Sequence, residues 1–303
     1  MTDGLPRSGA ASRTPRARAT AIGFTAVLMW ATLALLTTLT GRVPPFQLVA
    51  MAFTVAFALA AARWLVIGGS VTRHLRWPAA VWLLGVGGLF GYHFFYFMAL
   101  RNAPAVEASL IAYLWPLLIV VFSAALPGER LRWWHLAGAV AGLAGTALLV
   151  TGGGRIAFQV EHALGYSMAG ACALTWSAYS VLSRRFAHVP TDAVGGFCGV
   201  TAVLAILCHV AFEVTTWPVG SEWLAVLGLG LGPVGAAFFT WDHGVKHGDI
   251  RVLGAAAYSA PLLSTVLLVG FGRAEATWVV AVACLLIVGG AVMASREMLR
   301  GTS

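Results

Sequence analysis

The side chains of this 303-residue chain that could do chemistry are mostly aromatic rings with a polar edge. Trp30, Tyr92, Tyr96, Tyr113, Trp115, Trp176, Tyr179, Trp241 and Tyr258 fall in long uncharged stretches, and so does one imidazole, His93. Such a ring packs an apolar group on its face and hydrogen-bonds through its hydroxyl or indole N–H. A cluster of them also attracts a cation. These ten residues are read as candidate binding residues for a small amphipathic molecule. His93 changes charge near neutral pH, so it either meets the polar end of that molecule or stays neutral and bonds a neighbouring helix.

Other chemistry is poorly provided for. Asp242 is the only acid read inside a span, near its end, and Lys246 follows four residues later, a spacing that predicts a local helix-face pair rather than a proton relay. The cysteines Cys172, Cys198, Cys208 and Cys284 show neither pairing nor metal-ligand spacing. Gly230, Gly232 and Gly235 spell the dinucleotide fingerprint, but in an apolar run with Pro233 inside it and no βαβ unit around it. No metal, no cofactor and no enzymatic activity are expected.

The elements that must position these rings are set by the solvent. Apolar residues make up 59% of the chain and charged ones 10%, against about 45–50% and about 25% in soluble chains. Lipid is therefore the expected surroundings, which excludes a soluble enzyme or a disordered scaffold. Uncharged gaps run between Arg18 and Arg42, Arg76 and Arg101, Arg132 and Arg155, Glu161 and Arg184, Asp192 and Glu213, and Arg251 and Arg273. With 43–62, 108–128, 223–241 and 276–295 they give ten stretches. Each is close to the roughly 20 residues a helix needs to cross a bilayer, and none alternates as a barrel strand would. The expected fold is an all-α polytopic membrane protein with ten transmembrane helices.

Charge also predicts orientation. With the amino terminus inside, 15 Lys and Arg residues face the cytoplasm, and only Arg42, Arg101, Arg155 and Arg273 face away. That is a positive-inside bias with both termini cytoplasmic. The net charge of +8 then faces anionic lipid headgroups, and no nucleic-acid partner is expected. Residues 1–18 read as a disordered basic cytoplasmic tail and 297–303 as a second tail.

The chain repeats at an offset of about 145 residues. Trp30 meets Trp176, Pro44 meets Pro190, Tyr113 meets Tyr258, and Pro116 meets Pro261. The expected units are 19–151 and 162–296, joined by a loop over 152–161. Five spans per unit is odd, so the second unit enters the membrane from the opposite side, an arrangement recurring in secondary transporters. Pro116 and Pro261 each remove a helix hydrogen bond. With Gly88, Gly91, Gly232 and Pro233 they are the candidate hinge or gating residues.

These features resemble the drug/metabolite transporter superfamily with two EamA-type domains. The residues behind the resemblance are Tyr113 to Pro116 and Tyr258 to Pro261, the turns that end at Glu129 and Glu275, and the closing helices with Gly138, Gly142, Gly145, Gly289 and Gly290. Within the superfamily the chain is similar to bacterial aromatic amino acid exporters. The resemblance implies two inverted five-helix repeats around a central cavity. It also implies an inner-membrane exporter of aromatic and other apolar amino acids that works by alternating access. The glycines of the fifth helix would serve close packing, between protomers of a homodimer in one version. Export of another small metabolite or drug is the nearest alternative. A membrane-embedded enzyme acting on a lipid-linked substrate is the alternative of another class, disfavoured because no paired carboxylates or metal site are visible.

Overall fold

A computed structural model describes residues 13–68, 70–272 and 275–297. Most of the basic amino-terminal tail, Arg273 and Ala274 of the last turn, and the end of the second tail lie outside the described residues.

Among the described residues there is no strand. Eight helices are long and apolar enough to cross a membrane: α1 (Pro15–Thr38), α2 (Pro45–Val66), α3 (Ala79–Asn102), α4 (Ala105–Ala125), α5 (Trp133–Thr151), α7 (Ala193–Phe212), α8 (Glu222–His247) and α9 (Ile250–Gly270). Two more complete the bundle. The first, α6 (Ala163–Leu182), is punctuated by Tyr166, Thr175, Ser177, Tyr179 and Ser180. The second, α10 (Trp278–Ala294), has only 17 residues. Backbone polar groups in lipid must be satisfied internally, and helices achieve that segment by segment.

The most extensive contacts join α5 to α10, α3 to α6, α2 to α7 and α1 to α8. Exchanging the first five helices for the last five maps this set onto itself. At the α5–α10 crossing, Gly138 approaches the Gly290 carbonyl and Gly145 packs on Ile287. Small residues let helix axes come this close. The glycine face of α5 is thus filled within the chain, so it is not the surface on which a second protomer would dock. Gly85 and Gly88 of α3 likewise seat the rings of Phe197 and Tyr179.

Four helices are irregular where the cavity lies. α4 breaks between Ala112 and Trp115 and α9 between Ala256 and Ser259, each just before its proline. α1 breaks at Thr32, whose hydroxyl donates to the Met29 carbonyl at 2.7 Å. In α8, Gly232–Ala236 forms a wide π-type turn containing Pro233, a distortion often found at functional sites.

Candidate functional site

The irregular stretches converge on a cavity of about 320 Å³ lined by residues of α1, α3, α4, α5, α6, α8 and α9. Its inner wall is aromatic. Trp30 meets Trp115 edge-on at 6.1 Å and Trp176 at 5.8 Å between ring centres. Phe238 leans on Trp30 and Trp176 and stacks on Phe53. The Trp30 indole N–H donates to the Pro233 carbonyl at 3.1 Å, so the distorted turn of α8 holds that ring in place.

Polar groups are few. His93 Nδ1 lies 2.7 Å from the Leu89 carbonyl. A carbonyl only accepts, so Nδ1 carries a proton, and in the neutral form of the ring Nε2 is left as an acceptor. Tyr92 stacks against Tyr96 and leans on Trp176. Ser264 and Thr265 add two hydroxyls to the lining. No Asp, Glu, Lys or Arg is among the lining residues.

Of the ten aromatic and imidazole candidates, Trp30, Tyr92, His93, Tyr113, Trp115 and Trp176 line the cavity. The other four do not. Trp241 lies behind the wall, fully buried, with its indole N–H on Ser180 Oγ at 3.0 Å. Tyr179 packs under Trp176 against Gly88, and the Tyr96 hydroxyl meets Ser109 at 3.3 Å. Tyr258 points away from the cavity into a core formed with Val120, Ala139, Leu262 and Ile287. Among the hinge candidates, Pro116, Pro233 and Pro261 sit at or beside helix interruptions, and Gly232 opens the turn of α8. Gly88 and Gly91 instead lie in an unbroken helix and face Tyr179 and Thr175. They are packing positions. Phe238, Val234, Ala257 and Ala260 were missed because apolar residues in apolar spans carry no signal of which face is wetted.

One end of the bundle is sealed by charge. Glu129 is paired with Arg16 at 2.7 Å, Arg184 at 3.3 Å and Arg251 at 3.2 Å. Asp249 is paired with Arg251 at 2.8 Å and Arg16 at 3.2 Å. Beyond α6, Arg184 also donates to the Gly248 carbonyl at 3.2 Å. Burial pushes the Asp249 carboxyl up, but the Arg251 hydrogen bond and the Arg16 and Arg251 charges outweigh it and hold it below the ordinary carboxylate range. Deeper in, Asp242 pairs with Lys246 at 2.9 Å and accepts from Thr191 at 2.8 Å. The cavity lining extends toward the opposite end, to Leu33, Ala34, Leu149, Val150, Ser264 and Thr265.

Residues 18–151 and 163–296 each match the EamA-like transporter family. The chain belongs to that family. It is a multi-pass membrane transporter and not an enzyme. It is 59% identical to the aromatic amino acid exporter YddG of Ancylobacter novellus, over 92% of this chain and 98% of that protein. The YddG exporter of Salmonella typhimurium is 24% identical over 82% of this chain and 87% of its own length. A solved crystal structure, 58% identical, superposes with a TM-score of 0.88 over 94% of this chain and all of that one.

Proposed function

We propose that this EamA-family transporter exports aromatic and other apolar amino acids across the bacterial inner membrane by alternating access. The observation that carries the reading is the uncharged aromatic cavity. Its faces suit an apolar side chain and, by cation–π attraction, an α-ammonium. The indole N–H groups of Trp115 and Trp176 and the hydroxyls of Tyr92 and Tyr113 are donors for a carboxylate. His93 Nε2 is the acceptor for the ammonium. A volume of about 320 Å³ admits one amino acid and excludes a lipid-linked sugar. The names of the similar exporters point the same way.

Ten spans in two oppositely oriented halves are part of this reading, supported by the short connections, by the odd number of helices in each half and by a contact pattern unchanged by exchanging the halves. The ion-paired end holds most of the arginines, which supports a cytoplasmic position for it and for both termini. In that orientation the cavity opens outward, and Glu129, Arg16, Arg184, Asp249 and Arg251 close the inner gate. No Asp or Glu is among the lining residues, which supports export driven by the amino acid gradient or only weakly coupled to protons. Export of a different small metabolite through the same cavity is the second reading.

The test is counterflow in proteoliposomes loaded with unlabelled phenylalanine and bathed in labelled phenylalanine. Saturable uptake that Trp176→Ala lowers at least tenfold supports the site. No uptake of phenylalanine, tryptophan or methionine by folded protein overturns the amino acid reading and leaves the metabolite reading standing.

A further inference from the structure

Tyr258 is conspicuous because it faces away from the cavity yet is hydrogen-bonded into another helix. Pro116 has no amide proton, and α4 is interrupted around it between Ala112 and Trp115. The Tyr258 hydroxyl enters that interruption. It accepts from the Leu117 amide at 3.2 Å and donates to the Tyr113 carbonyl at 3.1 Å. These two groups would bond each other in an unbroken helix. One hydroxyl therefore splices α4 across its proline, and its ring is completely buried. Gly142 makes the room, since a Cβ there would lie 2.5 Å from the ring.

The other half repeats the motif without the bond. Tyr113 corresponds to Tyr258 and Pro116 to Pro261, yet Tyr113 lines the cavity and no tyrosine hydroxyl enters α9. The same offset places Ile287 where Gly142 stands. Ile287 is fully buried and already packed on Gly145, so a ring has no matching seat there.

We infer that Tyr258 is a positioning residue that latches α4 to α9 while the ion-paired end is closed, and that the latch is one-sided. It acts on the cavity through α4, since Tyr113 and Trp115 reach the lining from beside the spliced gap. The inference rests on the alternating-access reading. Opening the ion-paired end draws the first half of α9 away from α4 and withdraws the hydroxyl. The Leu117 amide and Tyr113 carbonyl are then left to the water of the newly opened side, which is tolerable only there.

Spin labels on Arg130→Cys and Arg185→Cys, with the native cysteines replaced by alanine, report the separation at the ion-paired end of the full chain. No substrate is needed, so the outcome is independent of which solute is carried. Tyr258→Phe is expected to raise the long-distance population about tenfold, the effect of leaving one buried polar pair unsatisfied. Gly142→Ala, which crowds the ring but keeps the hydroxyl, is expected to shift it in the same direction and guards against a poorly folded Phe variant. Tyr113→Phe is expected to leave the distribution unchanged. In counterflow, Tyr258→Phe should alter the maximal rate more than the half-saturating concentration. An unchanged distance distribution in both Tyr258→Phe and Gly142→Ala overturns the latch. An equal and opposite shift in Tyr113→Phe overturns its one-sidedness. A wild-type protein locked at one distance under all conditions overturns the alternating-access reading itself.

Discussion

His93 shows how one hydrogen bond decides a residue's chemistry. Because Nδ1 is committed to the Leu89 carbonyl, the side chain presents an acceptor, which an ammonium can use and a carboxylate cannot. His93→Ala is therefore expected to raise the half-saturating phenylalanine concentration about tenfold, since a hydrogen bond to a charged group contributes about 1.5–3 kcal/mol. N-acetylphenylalanine has no ammonium and should lose nothing further in the variant; an equal loss for both compounds would show that His93 only packs. The imidazole was legible because an ionisable group in an apolar span is rare, and Trp30 and Trp176 because they recur at matched repeat positions. The difference between Tyr113 and Tyr258 was not. Both stand in the same Tyr-x-x-Pro setting, and what separates them is a glycine in α5 set against an isoleucine in α10, a tertiary fact absent from either local motif.

At the scale of elements, the charge gaps placed the long helices well, because charges avoid hydrocarbon and an apolar run of that length has few other homes. The bends were partly legible, since a proline that lacks its amide must interrupt the ladder. The wide turn of α8 was not, because its geometry depends on Trp30 taking the Pro233 carbonyl across the bundle. Glycine was the least readable residue, since packing and hinging look alike in sequence. The contacts separate them. A Cβ at Gly88 would lie 2.5 Å from the Tyr179 ring, whereas nothing lies within 4 Å of one at Gly232. Gly88→Ala should then destabilise the protein by about 1–3 kcal/mol through overpacking, read as a lowered midpoint of thermal unfolding in detergent. Gly232→Ala should leave that midpoint near the wild-type value and, if the turn of α8 flexes during transport, slow counterflow. α2 and α7 are tied at both ends, by Arg63 to Asp192 and by Glu213 to the amides of Phe46 and Gln47.

For the whole molecule, one end of the bundle is held closed by a buried cluster of charges. In the sequence the arginines of this cluster read only as a topological bias, because the cluster draws residues from α1, the α4–α5 turn, the end of α6, the α8–α9 turn and the first turn of α9. No local spacing reports such an assembly. Glu129, 4% exposed as a side chain, faces three arginines. Removing one partner of a buried ion cluster costs about 3–5 kcal/mol, because the remaining charges stay desolvated. When this end opens, those arginines regain water, so Glu129→Gln should favour the open form by on the order of 100-fold, somewhat less because Arg16 is 41% exposed. The Arg130→Cys and Arg185→Cys label pair would read that change as a longer distance, and an unaltered distribution would show that apolar packing alone closes this end. Acid should act differently. The Asp249 carboxyl is held below the ordinary range while the cluster is formed. It therefore stabilises closure at every pH above its ordinary value of about 3.9, and that contribution is lost only as pH falls through the depressed value. Between about pH 5 and pH 8 the Asp249 contribution is constant, so opening by acid that runs through Asp249 should appear only below that window. His135 and His247 stand beside the cluster, so a change in the distance distribution between about pH 5 and pH 8 would report their titration and not that of Asp249.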